Sequence, residues 1–458
     1  METREPGGII DHSFIREHTA DFEAYRTLVD AATWQDITRM SGLDEEEIRA
    51  LADTLLGGRR RLVTCWAMGL TQHRNAVATI REVINVHLLL GALGRPGAGL
   101  CPVRGHSNVQ GDRTMGIFEK MPEAFLAALD RECGISSPRE PGYDTVAAIH
   151  AMHRGAAKVF FALGGNFLQA SPDTGFTADA LRNCELTVHV STKLNRSHLV
   201  TGRTALILPC LGRSERDGDG RFVTCENSMG VVQMSRGVLA PASPDLRSEV
   251  DIIAGLAAAV DHSKSGPVPW GWLAEDYDRI RSLIERVVPG FEDFTARVSR
   301  PGGFYLPNPV KQRVWETPGG KANFGLVTMD VFQAAPGRLV LQTLRSHDQF
   351  NTTIYGMDDR YRGIGNARRI ILVNPEDLKE RGIAPCSQVD ITSFWGDERR
   401  TAVSFTAIPY ETPRGSAAAY FPEANVLVPV GSQAERSGTP TSKSVEIEIR
   451  PILKSAPP

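Results

Sequence analysis

The sequence predicts an α/β domain with a doubly wound parallel sheet, followed by a compact β-barrel-like domain. Between residues 61 and 265, apolar runs of strand length alternate with stretches of helical periodicity, which is the pattern of a parallel sheet covered by helices. Residues 266–320 are rich in proline, glycine and charge around one predicted helix, 272–287, and predict a connecting segment. Residues 321–458 contain many short β-type runs, one of them at 425–429, and one helical run, which is typical of a small barrel.

The first 60 residues are predicted to be helical, as a remnant of a preceding domain. One helix is expected over residues 12–25 and a second after Ser41 or Asp44, because either side chain can cap a helix and the acidic run 44–47 favours a helix start. A short strand at 61–66 and a helix over 75–90 then form the first strand-loop-helix unit.

Three further strands are predicted over residues 158–163, 186–191 and 204–209, with a helix over 177–183 between the first two. In a parallel sheet, ligands bind beyond the carboxyl ends of the strands. The loops that begin at Gly164, Ser191 and Pro209 are therefore expected to share one ligand-binding edge.

Individual residues at this edge have two interpretations each. Gly165 lets a ligand approach the backbone, although many strand-to-helix turns need glycine only for their geometry. Asp173 could cap the next helix or accept hydrogen bonds from a nucleoside, and capping is the safer interpretation by itself. Lys193 could bind phosphate or lie on a solvated basic loop, and its place at the edge favours phosphate.

Two polar segments, residues 103–113 and 342–353, carry more hydrogen-bond donors than ordinary turns need. The first is predicted to donate hydrogen bonds to a ligand, with a polar loop that serves only solubility as the alternative. The second is predicted to bind an anionic or heteroaromatic ligand. His347 could alternatively be a general base, but no serine or cysteine elbow motif accompanies it. The seven cysteines are scattered without a Cys-x-x-Cys pair, so their spacing predicts neither a disulfide framework nor a metal site.

Charge and hydropathy exclude several classes of function. A net charge of -3 and a pI near 6.4 argue against nucleic acid as a partner. The apolar runs are shorter than the roughly 20 residues of a membrane span. Because the amino terminus shows no signal peptide or twin-arginine leader, we expect a cytoplasmic protein.

Taken together and in this order, six segments resemble the molybdopterin oxidoreductases that bind molybdopterin guanine dinucleotides, and most closely the formate dehydrogenase H-like alpha subunits. The resemblance runs from about Asp11 to the end and implies that the last domain is a double-psi β-barrel. The segments are 11–19 (DHSFIREHT), 66–73 (WAMGLTQH), 91–99 (GALGRPGAG), 104–111 (RGHSNVQG), 164–166 (GGN) and 345–352 (RSHDQFNT).

The resemblance also implies site residues. In the α/β domain, five residues would line one guanine dinucleotide site: Gly165, Asn166, Asp173, Lys193 and Asn195. In the barrel, seven residues would contact pterin or phosphate: Thr343, Arg345, His347, Asn351, Thr352, Asn425 and Lys443. Arg104 and Gln110 match a loop near the metal, where an arginine would hold a carboxylate substrate. The His106-Ser107 pair departs from formate dehydrogenase H-like sequences and leaves formate specificity open.

Family members are longer at the amino terminus, where a cysteine cluster holds a 4Fe-4S centre and a further cysteine or selenocysteine binds molybdenum. Nothing comparable lies in these 458 residues, so we expect the carboxy-terminal part of such an enzyme, without metal ligands. The expected activity is oxidation of formate or a similar small anion, with an iron-sulfur partner or a separate amino-terminal half. The alternatives are a catalytically inactive cofactor-binding module and an unrelated nucleotide-binding protein, which the missing glycine-rich signatures disfavour.

Overall fold

The computed structural model of the chain describes residues 8–57, 61–218, 220–261, 266–352 and 354–452. Thr353, at the end of the second predicted polar segment, lies outside these ranges. Within them, none of the helices has the length and apolar content needed to cross a membrane.

The amino-terminal part is helical, but its helices are shorter than predicted. The helix expected over residues 12–25 is interrupted, because Thr19 is extended (φ -123°, ψ 161°) and begins a short strand. Asp44 caps as predicted: its carboxylate accepts from the backbone N–H of Glu47 at 2.8 Å. The elements are α1 (His12–His18), β1 (Thr19–Ala20), α2 (Phe22–Asp30), α3 (Trp34–Ser41) and α4 (Glu45–Gly57).

The next unit contains two parallel strands that pair only with each other among the described residues. The predicted helix over 75–90 is confirmed, and three shorter helices follow the second strand. The elements are β2 (Val63–Trp66), α5 (Met68–Thr71), α6 (Ala76–Leu89), β3 (Gly99–Pro102), α7 (Val109–Thr114), α8 (Glu123–Cys133) and α9 (Thr145–His153).

The predicted strands at 186–191 and 204–209 are confirmed in a three-stranded parallel sheet. Its strands follow one another in chain order, so the described sheet shows no reversal of strand order and double winding stays a prediction. The elements are β4 (Val159–Leu163), α10 (Phe167–Ala170), α11 (Thr174–Arg182), β5 (Leu186–Ser191), the 3-10 turn Arg196–Leu199 and β6 (Thr204–Pro209).

An antiparallel sheet that the sequence did not predict follows, together with four helices. The predicted helix over 272–287 is broken at Asp276, which is extended (φ -142°) and caps the second half with its side chain. Phe291 and Phe294 are buried, so this part of the proposed connecting segment contributes to a hydrophobic core. The elements are β7 (Val223–Glu226), β8 (Val231–Ser235), α12 (Glu249–Val260), α13 (Trp270–Glu275), α14 (Tyr277–Val287), α15 (Phe294–Val298) and β9 (Phe304–Tyr305).

The carboxy-terminal part is a closed barrel of six strands in the order β11-β15-β12-β14-β13-β16. The strand predicted at 425–429 is wrong: the backbone N–H of Asn425 donates to the Pro422 carbonyl at 2.9 Å, which forms a turn instead. The elements are the 3-10 turn Pro309–Gln312, β10 (Ala322–Asn323), β11 (Leu339–Leu344), β12 (Ile370–Val373), α16 (Pro375–Glu380), β13 (Gln388–Trp395), β14 (Glu398–Pro409), β15 (Ser416–Tyr420), the 3-10 turn Asn425–Leu427 and β16 (Val445–Pro451).

Candidate functional site

The loop after β4 exposes its backbone at the carboxyl edge of the parallel sheet. Gly164 and Gly165 have φ values of +73° and +79°, a region that L-residues with a side chain rarely adopt. A Cβ at either position would meet no atom within 4 Å. The glycines therefore serve the backbone conformation, and the space beside them is open to a ligand.

Hydrogen bonds join this loop to the loop after β5. The Asn195 amide donates to the Gly165 carbonyl at 3.0 Å. The Ser197 hydroxyl donates to the Asn166 side-chain oxygen at 2.6 Å. The structure thus brings Gly165, Asn166 and Asn195 together, as the predicted shared edge requires, and leaves Lys193 exposed on the same loop.

Asp173 and Asn425 connect the sheet edge to the barrel. One oxygen of Asp173 accepts from the Phe176 N–H at 3.3 Å and caps α11, while the other accepts from the Arg400 guanidinium. The Asn425 amide donates to the Gln169 carbonyl at 2.6 Å. Both predicted residues therefore hold the two regions against each other.

Sequence reasoning missed Arg400, which lies 227 residues from its partner Asp173. Its Nη1 is buried and finds no hydrogen-bond partner in the described part of the chain. A buried guanidinium nitrogen in that state suits an additional acceptor. No local pattern marks Arg400, because its role follows only from the contact between sheet and barrel.

Two cations lie together at the end of β11. Arg345 donates to the Asn351 side-chain oxygen at 3.2 Å, and the Lys443 ammonium donates to the Thr343 carbonyl. Burial, with the positive charge of Arg345, lowers the pKa of Lys443 to about 8. Burial also lowers the pKa of Arg345. Within the described ranges neither cation forms an ion pair with a carboxylate, so the pair favours an anionic ligand.

The two predicted polar segments meet at His106, whose Nε2 lies 2.6 Å from the Asn351 amide nitrogen. Arg104, two residues earlier, is exposed and its backbone N–H donates to the Ser228 hydroxyl at 3.0 Å. Gln110 lies on α7 and is half-buried. The segment that carries Arg104 and Gln110 is therefore held against the loop of Arg345 by His106, which has no predicted site role.

The remaining predicted barrel residues have mixed surroundings. Thr352 is buried, whereas the His347 ring lies 3.8 Å from the Tyr361 ring and its Nε2 lies 3.2 Å from an Asp348 oxygen. A buried arginine, Arg368, was also missed, and it forms an ion pair with Glu423 at 2.9 Å. These contacts hold the segment after β11 in place against its neighbours.

A cleft of about 580 Å³ opens between the α/β region and the barrel, next to Asp173 and Asn425. Its lining is mixed polar and apolar, and it includes three arginines, which suits an anionic ligand with a flat ring system. The lining residues are Gln169, Thr174, Gly175, Arg196, Tyr355, Met357, Arg368, Arg369, Pro422, Glu423 and Val426.

No group of three or more histidine, cysteine, aspartate or glutamate side chains that could hold a metal ion occurs in the part of the chain that the structure describes. The donors and cations of the polar loops fit recognition of an organic anion.

Comparison with known proteins agrees with this geometry. The family model Molybdopterin oxidoreductase matches residues 10–259, and the model Molydopterin dinucleotide binding domain matches residues 339–446. The fold is similar to that of acetylene hydratase from Pelobacter acetylenicus, with a TM-score of 0.68 and 15% identity, over 97% of this chain and 68% of that chain. At that identity the likeness shows a shared fold.

Three relatives extend the comparison. An uncharacterized oxidoreductase of Mycobacterium tuberculosis is 52% identical over 98% of this chain, and the protein YdeP of Escherichia coli is 42% identical over 97%. This chain spans 59% of the length of each. Formate dehydrogenase H of Escherichia coli is 25% identical over 60% of this chain and 38% of its own length. With a family model matching more than half of its residues, the chain belongs to the molybdopterin oxidoreductase family.

Proposed function

We propose that this chain binds molybdopterin guanine dinucleotide between the sheet edge and the barrel, as part of an enzyme that oxidises formate or a similar small anion. The observation that carries the proposal is the Arg345 and Lys443 pair, which lies without a carboxylate partner, among the described residues, beside the contact between the two polar loops. A phosphate group there would offset the repulsion between the two cations.

The residues present fit such a cofactor. The open backbone at Gly164 and Gly165 allows close approach, and the partnerless Nη1 of Arg400 suits an added acceptor. The cleft between the α/β region and the barrel, lined by Arg196 on one side and Arg368 on the other, has room for a ring system. These features come from separate regions of the chain and converge where sheet and barrel meet.

Within this proposal, the sheet-edge residues hold the guanine nucleotide and the barrel residues hold pterin and phosphate. Gly165, Asn166, Lys193 and Asn195 lie on the two joined loops that would contact the nucleotide. Asp173 and Asn425 already have protein partners, so we assign them the placement of those loops. Double winding, the double-psi topology, the domain boundaries near residues 60, 265 and 320 and a cytoplasmic location are further parts of the proposal.

The barrel residues are assigned to the phosphate and pterin groups of the cofactor. Arg345 and Lys443 would pair with phosphate, while Thr343, Asn351 and Thr352 lie on the supporting strand and loop. His347 is half-exposed beside Tyr361 and would offer a ring nitrogen or a flat surface to the pterin.

The substrate end is assigned to Arg104 and Gln110. The exposed Arg104 guanidinium would hold the carboxylate of the substrate, and Gln110 would orient it. When bound, the cofactor supplies the two-electron redox chemistry. Formate oxidation yields carbon dioxide, one proton and two electrons, and we propose an iron-sulfur partner with a 4Fe-4S cluster as the electron acceptor.

The test is cofactor content after expression in a host that makes molybdopterin guanine dinucleotide. We expect molybdenum and releasable guanosine monophosphate to copurify with the chain. The double variant Arg345→Met with Lys443→Met should lose most of both, whereas Lys379→Met should retain them because Lys379 is exposed on α16, far along the chain from the loops. A folded wild-type chain that contains neither component would overturn the proposal.

Catalysis is tested separately with dye-linked formate oxidation by the complete protein. Activity that is lost in Arg104→Met while molybdenum content is retained would support the assignment of the substrate end. Bound molybdenum with no oxidation of formate or other small anions would leave a cofactor-binding module and overturn the enzymatic part.

A further inference from the structure

Two free cysteines lie opposite each other on the parallel pair of β2 and β3. Cys65 is in register with Cys101, and both are free thiols. Neighbouring strands lie about 4.8 Å apart, and disulfides join Cα atoms about 4.4–6.8 Å apart. Residues in register on parallel strands point to the same face, so the spacing and the direction of the two side chains both permit a bridge.

The two thiols differ in their access to solvent. Cys65 is exposed, whereas Cys101 is half-buried. Burial, together with a hydrogen bond to Cys65, raises the pKa of Cys101. A dissolved reagent therefore reaches Cys65 first, and the Cys101 thiol lies within reach of whatever forms there.

We propose that Cys65 and Cys101 form a redox-active dithiol that low-molecular-weight disulfides oxidise to a cross-strand disulfide. The Cys65 thiolate attacks the reagent disulfide, forms a mixed disulfide and releases one reagent thiol. Cys101 then gives up its proton, attacks the Cys65 sulfur and releases the second reagent thiol. The protein loses two electrons and two protons, and the reagent gains both.

The position of the pair links this chemistry to the polar loop. Arg104 lies three residues after Cys101, and the Val103 N–H donates to the Trp66 carbonyl at 2.7 Å, one residue after Cys65. A covalent bond here joins β2 to β3 at the point where the loop begins. Exposed disulfides between neighbouring strands are more easily reduced than structural ones, as a reversible modification requires.

The test uses the reduced full chain and glutathione disulfide, followed by alkylation in denaturant and peptide mapping. Trypsin places Cys65 in peptide 62–74 and Cys101 in peptide 82–104, because the Arg95-Pro96 bond resists cleavage. We expect these two peptides to be joined and two of the seven thiols to escape alkylation. Dithiothreitol should restore both thiols.

Variants separate the two roles. Cys101→Ser should keep a lasting glutathione adduct on Cys65, and Cys65→Ser should leave Cys101 largely unmodified. The control Cys225→Ser removes a thiol that faces Gln233 across β7 and β8, and it should not alter the joined peptides. The proposal is overturned if wild-type chain keeps all its thiols, if it carries a stable adduct on Cys65 beside a free Cys101, or if Cys101 joins a different cysteine. None of these readouts depends on bound cofactor.

Discussion

The barrel and the parallel sheet differ in how their strands are covered. In the barrel, Phe405 and Ile370 have no exposed surface, and every strand has two neighbours. In the sheet, Val188 on the central strand is 5% exposed, but Val159 on β4 and Leu206 on β6 are 59% and 48% exposed. The barrel buries its apolar side chains internally, whereas the outer strands of the sheet do not.

This difference shows where each region obtains its stability. A closed barrel has no free strand edges and needs no other layer to cover them. A parallel sheet normally has both faces covered, and its outer strands here lack that cover among the described residues. The joint between the regions, at Asp173 and Arg400, therefore matters more to the sheet than to the barrel.

The largest expected effect comes from the barrel core. Phe405 lies on β14 opposite Val389 of β13. Phe405→Ala should reduce the free energy of opening of β13 by about 4 kcal/mol, because it leaves a cavity in a fully buried site between these strands. Hydrogen exchange read by mass spectrometry measures this, with the exposed Phe350→Ala as control. If the hydrogen-exchange protection of β5 in the sheet falls by as much as that of β13, the barrel does not stabilise itself independently of the sheet.

Next is the joint. Asp173→Ala should cost about 3 kcal/mol, because it removes the buried carboxylate partner of Arg400 and leaves that charge only the exposed Glu398. Protection should fall more in α11 and β5 than in β13. Glu448→Ala, which breaks the exposed pair with Arg450, should change stability by less than about 0.5 kcal/mol. Equal losses on both sides of the joint would contradict the asymmetry.

A smaller effect concerns the charge of Lys443 at the end of β11, compared with the charge of the exposed Lys193 at the sheet edge. Because burial lowers the pKa of Lys443 to about 8, its cationic form predominates below that pH and is lost above it. Pyrophosphate also takes up protons in this pH range, so the quantity to compare is the ratio of the wild-type affinity to the Lys443→Met affinity. That ratio should be constant well below pH 8 and fall by up to about tenfold per pH unit above it. Titration calorimetry measures the ratio, and the control Lys193→Met should follow the wild-type pH dependence. A ratio that does not change with pH would assign the titration to another group.

The smallest effect tests the sheet itself. Leu206→Ala on the exposed outer strand should change stability by less than about 0.5 kcal/mol. Val190→Ala on β5, at 1% exposure, should cost about 1–2 kcal/mol, because its methyl groups are removed from a packed site. Urea unfolding followed by circular dichroism compares them. Equal costs would mean that the outer strand is packed as closely as the central one.

Sequence patterns predicted those elements whose signal is local. Strand β6 is an uninterrupted apolar or β-branched run of strand length, and β5 is such a run with His189 inside it and Ser191 at its end. Helix α6 has helical periodicity between breakers. Strand β9 was missed because it pairs with a strand about 70 residues earlier in the chain, and no local period records such a pairing. Strands β7 and β8 form a local hairpin that the prediction overlooked.

The site shows the same division. The loop glycines and polar segments were visible as composition, and the structure brings most of them together. The partners that complete the site, Arg400 and His106, were not visible as such, because their roles depend on contacts 227 and 245 residues away. Lys443 was named through family resemblance, and its lowered pKa follows from burial that no pattern reports.

The short pairing of β1 with β10 has a consequence for synthesis of the chain. Thr19 lies beside Ala322, the Asn323 amide donates to Asp21 at 3.0 Å, and the Tyr25 and Phe324 rings stack at 5.0 Å. A chain made from its amino terminus cannot form these contacts until residues some 302 positions later have left the ribosome. Until the segment that leads into the barrel has been synthesised, Tyr25 lacks the ring of Phe324 and β1 lacks its partner strand.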